Sequence, residues 1–169
     1  MKNNTAARSG YSLSADGKFS IRNYNLSRPF ASFFPGIAGK YGIPMWVFYV
    51  NRGQGISSFG IKDKDHPILE FYPANKAWQT TPLQGFRTFL KISAGGSGKT
   101  YFYEPFSRNT KRISSGMEIT PAGLKIVETN DEAGITVSVE YFTVPNDNYA
   151  GLVRTVTISN VSGGRKKLQ

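Results

Sequence analysis

The sequence predicts an all-β protein, an antiparallel two-layer β-sandwich, and three observations carry that prediction. Aromatic residues make up 14% of the chain, with 12 Phe and 9 Tyr, and they come with many β-branched residues and 18 Gly, the mixture used by short strands joined through tight turns. In Ile135-Thr136-Val137-Ser138-Val139-Glu140-Tyr141 the odd positions are apolar and the even ones polar, the period of a strand with one face on a core and the other in water. Long amphipathic helical stretches are hard to find, so the apolar residues must be buried by layering strands. One domain accounts for 169 residues of which 39% are apolar.

The elements follow in order. Residues 1–18 are polar and small and read as a flexible N-terminal arm, leaving 19–169 as the sandwich. Phe19-Ser20-Ile21 is a first short strand. Pro29-Phe30-Ala31-Ser32-Phe33-Phe34-Pro35-Gly36 is aromatic but interrupted by prolines, and is expected to wrap over the core as an irregular segment. Met45 to Val50 has no polar side to give to water, which predicts a strand buried between two layers with Trp46 in the core. Strands are expected next at Ile56 to Ile61, Ile68 to Tyr72, Phe86 to Ser93 and Tyr101 to Tyr103, each bounded by Gly, Pro or Asp. The last third reads as a meander: Leu124 to Glu128, a hairpin loop at Asn130-Asp131-Glu132-Ala133-Gly134, Ile135 to Tyr141, then Leu152 to Ile158. Arg165 to Gln169 looks like a further strand cut short, so the chain reads as a fragment truncated at its C-terminal end.

Composition excludes some chemistry and leaves other chemistry open. There is no cysteine, so thiolate nucleophiles, cysteine metal sites and disulfides are excluded. His66, the single histidine, stands between Asp65 and Pro67 in a polar turn with no second imidazole to share a metal, and reads as a surface loop. The N-terminus lacks the apolar core of a secretory signal and no membrane span is present, which leads to the expectation of a cytoplasmic protein. A formal net charge of +10 would suit nucleic acid, but the basic residues are scattered singly. Only Tyr101-Phe102-Tyr103 near Lys99 hints at a single-strand platform, and solvated surface is the expectation. Gly95-Gly96-Ser97-Gly98-Lys99-Thr100 is not a phosphate loop, because Ser93 stands where the first glycine is needed and a strand follows. Gly53-Gln54-Gly55 begins a dinucleotide fingerprint that Ser58 breaks. Glu70, Glu104 and Glu140 lie in or beside strands with no sign of the pairing that glycoside chemistry uses, so no catalytic residue is assigned.

The chemically richest segment is the turn after Val50. Asn51, Arg52 and Gln54 are multidentate hydrogen-bonding side chains, and Gly53 and Gly55 permit positive φ and close backbone approach. A structural turn needs the glycines but not the Arg and Gln, so the three side chains are candidates for the edge of a binding site. Trp78, followed by Gln79 in Pro73-Ala74-Asn75-Lys76-Ala77-Trp78-Gln79-Thr80-Thr81-Pro82, lies in a polar segment. An aromatic face beside amides suits a sugar, and a cap on the sandwich edge suits it equally.

Four runs carry a family resemblance: Phe30-Ala31-Ser32-Phe33-Phe34-Pro35-Gly36-Ile37-Ala38-Gly39, Tyr49-Val50-Asn51-Arg52-Gly53-Gln54-Gly55, Phe71-Tyr72-Pro73-Ala74-Asn75-Lys76 and Gln84-Gly85-Phe86-Arg87-Thr88-Phe89. With the closing strands from Gly123 to Ser162, they resemble the N-terminal region of 1,2-β-oligoglucan phosphorylases, in the cellobiose phosphorylase family (glycoside hydrolase family 94). The resemblance implies a supersandwich-like N-terminal domain, followed in the full enzyme by a helical linker and an α/α-barrel that carries the general acid. It implies a homodimer and a β-glucan oligosaccharide substrate, with inorganic phosphate as co-substrate and no other cofactor or metal. Nucleic acid and membrane are not implied partners. Arg87 joins Asn51, Arg52, Gln54, Trp78 and Gln79 as a candidate for the active-site edge, and this chain alone is expected to be inactive. A free-standing carbohydrate-binding sandwich is the alternative.

Overall fold

The computed structural model describes residues 9–38, 42–94, 100–107 and 112–169. Its strands, in chain order, are β1 (Gly10–Leu13), β2 (Phe19–Arg22), β3 (Ala31–Ala38), β4 (Ile43–Val50), β5 (Ile56–Ile61), β6 (Pro67–Leu69), β7 (Leu90–Ala94), β8 (Thr100–Tyr103), β9 (Ile113–Thr120), β10 (Gly123–Asn130), β11 (Ile135–Thr143), β12 (Leu152–Asn160) and β13 (Lys166–Leu168). They build a six-stranded sheet in the order β1-β2-β9-β10-β11-β12, a four-stranded sheet β3-β4-β5-β6 and a three-stranded sheet β13-β7-β8. Every pairing among the described residues is antiparallel. The expected all-β, layered architecture is what the chain adopts.

The core lies between the sheets. From the six-stranded sheet, Leu124 and Ile126 on β10 and Val137, Val139 and Tyr141 on β11 point inward and are buried. Met45, Val47 and Tyr49 face them from β4, and Leu90 and Ile92 from β7. The alternation of β11 runs as expected, apolar residues inward and Ser138 and Glu140 outward.

Four expectations change. The strand β4 is covered on one face only: Met45 and Val47 are fully buried, but Trp46 is half-buried and Phe48 is 36% exposed. A continuous apolar run did not mean two covering layers here, because Phe33 from β3 and Phe71 pack on the second face without sealing it. The proline-broken segment is strand rather than irregular wrap, with Ala31 opposite Val50 and Pro35 opposite Trp46. β3 is an edge strand of its sheet, the position where a residue lacking an N–H is tolerated. Gly10–Leu13, inside the segment read as an arm, pairs with Phe19–Arg22; residues 1–8 lie outside the described residues. The expected strand Ile68 to Tyr72 shortens to Pro67–Leu69, and the polar segment after it forms helix α1 (Ala74–Gln84). That helix buries only Ala77 and Thr81, one turn apart, so it has no apolar stripe from which it could be read.

Toward the C-terminus the expected extra strand exists: Lys166–Leu168 pairs with β7, Leu168 opposite Ile92. The expected strand from Phe86 begins at Leu90, and the glycine-rich loop at 95–99 lies outside the described residues.

Candidate functional site

The turn joining β4 to β5 forms as its glycines require. Gly53 has φ 56° and Gly55 φ 85°, left-handed conformations that cost glycine little and other residues more. Val50 N–H donates to the Gly55 carbonyl (2.8 Å) and Gly55 N–H to that of Arg52 (3.1 Å). The phenol of buried Tyr24, in the 3-10 turn Tyr24–Leu26, donates to the Gly53 carbonyl (2.8 Å).

Within that turn the three candidate side chains separate. Asn51, expected at an accessible edge, is 2% exposed and serves the fold. Its Oδ1 accepts from Phe30 N–H (2.9 Å) and Trp78 Nε1 (3.0 Å), while its Nδ2 donates to Ser27 Oγ (2.8 Å), the Arg28 carbonyl (3.0 Å) and the Tyr24 carbonyl (3.2 Å). One amide thus ties the 3-10 turn, the entry to β3 and helix α1 together. Gln54, 3% exposed, also turns inward. Its Nε2 donates to Thr88 Oγ1 (3.0 Å), and its Oε1 accepts from Arg154 Nη2 on β12 (2.6 Å). The multidentate amides that suggested ligand contacts are used to satisfy buried backbone and side-chain groups, a use with the same chemical requirement.

Arg52 is the member left facing outward. Its guanidinium lies 4.3 Å from the centre of the Trp78 ring, and Nη1 approaches the Trp78 carbonyl at 3.5 Å. Among the described residues it has no carboxylate partner. Asn25, Asn51, Arg52, Trp78, Phe106 and Ser107 line a pocket of about 260 Å³ at this end of the sandwich. That lies just under the usual range of small-molecule sites, about 300–1,000 Å³, and suits one ring or one anion rather than a chain. Trp78 therefore does not offer a bare platform: Arg52 covers one face and its Nε1 is held by Asn51. The pocket presents guanidinium N–H donors against an aromatic wall, an arrangement suited to hydroxyl, carboxylate or phosphate oxygens.

Two candidates lie away from this pocket. Gln79 is exposed on α1. Arg87 forms a two-point ion pair with Glu104, Nε to Oε1 at 2.6 Å and Nη2 to Oε2 at 3.0 Å, and lies 4.7 Å from the Phe89 ring. The hydrogen bond to Glu104 raises the Arg87 pKa.

Sequence reasoning missed the groups that shape the far wall. Phe106 is buried at φ 66°, a conformation rare for a bulky residue. Its N–H donates to Glu128 Oε1 (2.9 Å), which also accepts from the Tyr103 phenol (2.5 Å). Glu128 is 1% exposed, and burial pushes its carboxyl pKa up despite those two donors, which act the other way. Burial likewise pushes the Tyr141 phenol up to about 12. Alternation with Leu124 and Ile126 puts Glu128 on the inward face of β10, but nothing near it in the sequence signals the Tyr103 phenol and Phe106 N–H that receive the carboxylate.

Among the described residues no three His, Cys, Asp or Glu side chains gather as a metal site would require, and no helix is long and apolar enough to cross a membrane. No family model matches the sequence, and no curated protein matches it.

Proposed function

We propose that this chain is the N-terminal β-sandwich of an inverting, cytoplasmic glycoside phosphorylase that acts on β-1,2-linked oligoglucans. In that reaction a phosphate oxygen attacks the anomeric carbon and the glycosidic bond breaks. A general acid protonates the departing glucan oxygen, giving glucose 1-phosphate and a shortened chain. The acid belongs to the catalytic barrel in this reading, and the sandwich is architectural, a partner in a homodimer and a wall beside the active site. The observation that carries the proposal is Arg52: a half-buried cation set on Trp78 without a carboxylate partner among the described residues, at the mouth of a pocket suited to sugar hydroxyls or phosphate. The runs at Tyr49 to Gly55 and Gln84 to Phe89, which resemble the phosphorylase family, are joined by the hydrogen bond from Gln54 Nε2 to Thr88 Oγ1 (3.0 Å).

The test joins the sandwich to the catalytic barrel that the reading requires and supplies β-1,2-glucan and phosphate. Release of glucose 1-phosphate, reduced in Arg52→Ala and absent for the sandwich by itself, is expected. Absence of phosphorolysis by the joined protein would sink the reading. Saccharide binding by the sandwich without any phosphorolysis would favour a free-standing carbohydrate-binding module.

A further inference from the structure

A second concave site lies on the outer face of the four-stranded sheet, away from Arg52. Side chains on this face come from alternate positions of β3, β4 and β5, in the cross-strand row Phe33, Phe48, Ser58. The rings are set against one another, Phe33 to Phe48 at 5.4 Å, Phe33 to Trp46 at 6.0 Å and Phe48 to Phe71 at 5.5 Å edge-on. Trp46 is held by its Nε1 donating to the Lys62 carbonyl at 3.3 Å. Small residues on β5 leave a trough between these rings and the Phe71-Tyr72 segment, a cleft of about 340 Å³, within the range of small-molecule sites.

Polar groups sit at two places in the trough. Ser58, itself 2% exposed, lines it, and its hydroxyl has no partner among the described residues. At the rim the Asp63 carboxylate is already oriented: Oδ1 accepts from Asp65 N–H (2.9 Å) and meets His66 Nδ1 (2.7 Å). Oδ2 makes no hydrogen bond among the described residues, and the contacts of Oδ1 hold the Asp63 pKa below its ordinary value, with the His66 hydrogen bond the largest cause.

We infer that this cleft is a binding site for a hexopyranose unit, with Trp46, Phe48 and Phe71 taking the apolar face of the ring and Asp63 and Ser58 taking its hydroxyls. A pyranose has both parts, C–H groups on one face and hydroxyls around its edge. A purely apolar occupant would leave the Ser58 hydroxyl covered and unpaired, which is unfavourable. Open water does not explain the face either. Phe33 and Phe48 stand directly opposite each other at 47% and 36% exposure, on the side of the sheet where polar residues would serve a solvated surface. The inference does not depend on the Arg52 pocket, and it rests on the proposed function only for the choice of a β-1,2-linked glucan as the probe.

The two indoles report the two sites separately. The unmodified chain, labelled with ¹⁵N, is titrated with β-1,2-linked glucotriose and the indole N–H resonances of Trp46 and Trp78 are followed. A saturable shift of the Trp46 indole together with the Ser58 and Phe71 amides is expected. Phe71→Ala should weaken it about tenfold, the loss of one ring contact, and exposed Asp63→Asn about threefold, the loss of one charge-assisted hydrogen bond. No saturable response at Trp46 at about 10 mM sugar, where a weak single cleft would fill, would overturn the inference, as would a response confined to Trp78. If Phe71→Ala loses its dispersed spectrum, Asp63→Asn decides alone, and unchanged affinity refutes the site. Shifts of the same resonances on concentrating the protein without sugar would show that a second copy covers the face, and would also overturn it.

Discussion

Asn51→Ala is expected to destabilise the chain strongly although the residue sits in a turn. The side chain accepts two hydrogen bonds and supplies two N–H protons to three carbonyl or hydroxyl oxygens, at 2.8 to 3.2 Å. At a net contribution of about 1 kcal/mol each, four such bonds set an upper figure of about 4 kcal/mol. Water can reach half-buried Phe30 and Trp78 once the amide is gone, which lowers the cost to about 2–4 kcal/mol, a large part of the about 5–15 kcal/mol that folded domains possess. Asn51→Asp keeps the acceptor for Phe30 N–H and Trp78 Nε1 but turns a carboxylate oxygen toward the Tyr24 and Arg28 carbonyls, so it should cost at least as much. Urea unfolding followed by Trp fluorescence measures both, the midpoint falling with the slope unchanged. A loss below about 0.5 kcal/mol for Asn51→Ala, the range of surface substitutions, would refute the claim that this amide pins three elements together.

Other expectations are as direct. Arg52→Ala should change stability by no more than about 2 kcal/mol, the upper range of a cation–π contact, while abolishing any phosphate or sugar response of the Trp78 indole; a larger fall in the urea midpoint would make Arg52 structural. Gly55→Ala places a Cβ 2.8 Å from Leu124 Cδ2 at φ 85°, so a loss of about 1–3 kcal/mol is expected from strain and overpacking, and an unchanged melting temperature would contradict the geometry. Because burial raises the Glu128 pKa in the folded state, the folded protein holds that proton to higher pH than the unfolded chain. Stability from this group is full below the ordinary value of 4.5 and falls as pH rises through the raised folded value. Glu128→Gln should flatten that fall in a pH series of urea midpoints, and a slope equal to the parent's would show that Glu128 is not its source.

What could be read from the sequence depended on how local each signal was. β11 was legible because its alternation decides by itself which side is buried, and the turn at Gly53 and Gly55 because positive φ selects the residue. Helix α1 was not, since a helix that buries only Ala77 and Thr81 leaves no periodic trace. The Asn51 side chain was misread because its partners stand 21 to 27 residues away, and Gln54 because one of its partners, Arg154, is 100 residues away. Nothing near either residue distinguishes an amide that binds a ligand from one that satisfies a buried backbone. Arg52 and Trp78 were both proposed, but their contact with each other followed only from where α1 packs.

The pairing of β2 with β9 sets an order of events during synthesis. Phe19 lies opposite Ile119 and Arg22 opposite Gly116, so the β1-β2 hairpin has no neighbour in its sheet until about a hundred more residues have been made. At translation rates of about 5–20 residues per second the delay is about 5–20 s. During it the hairpin presents Phe19 and Ile21 to solvent with one strand edge unpaired, a period in which a chaperone or a neighbouring nascent chain has first access to that edge.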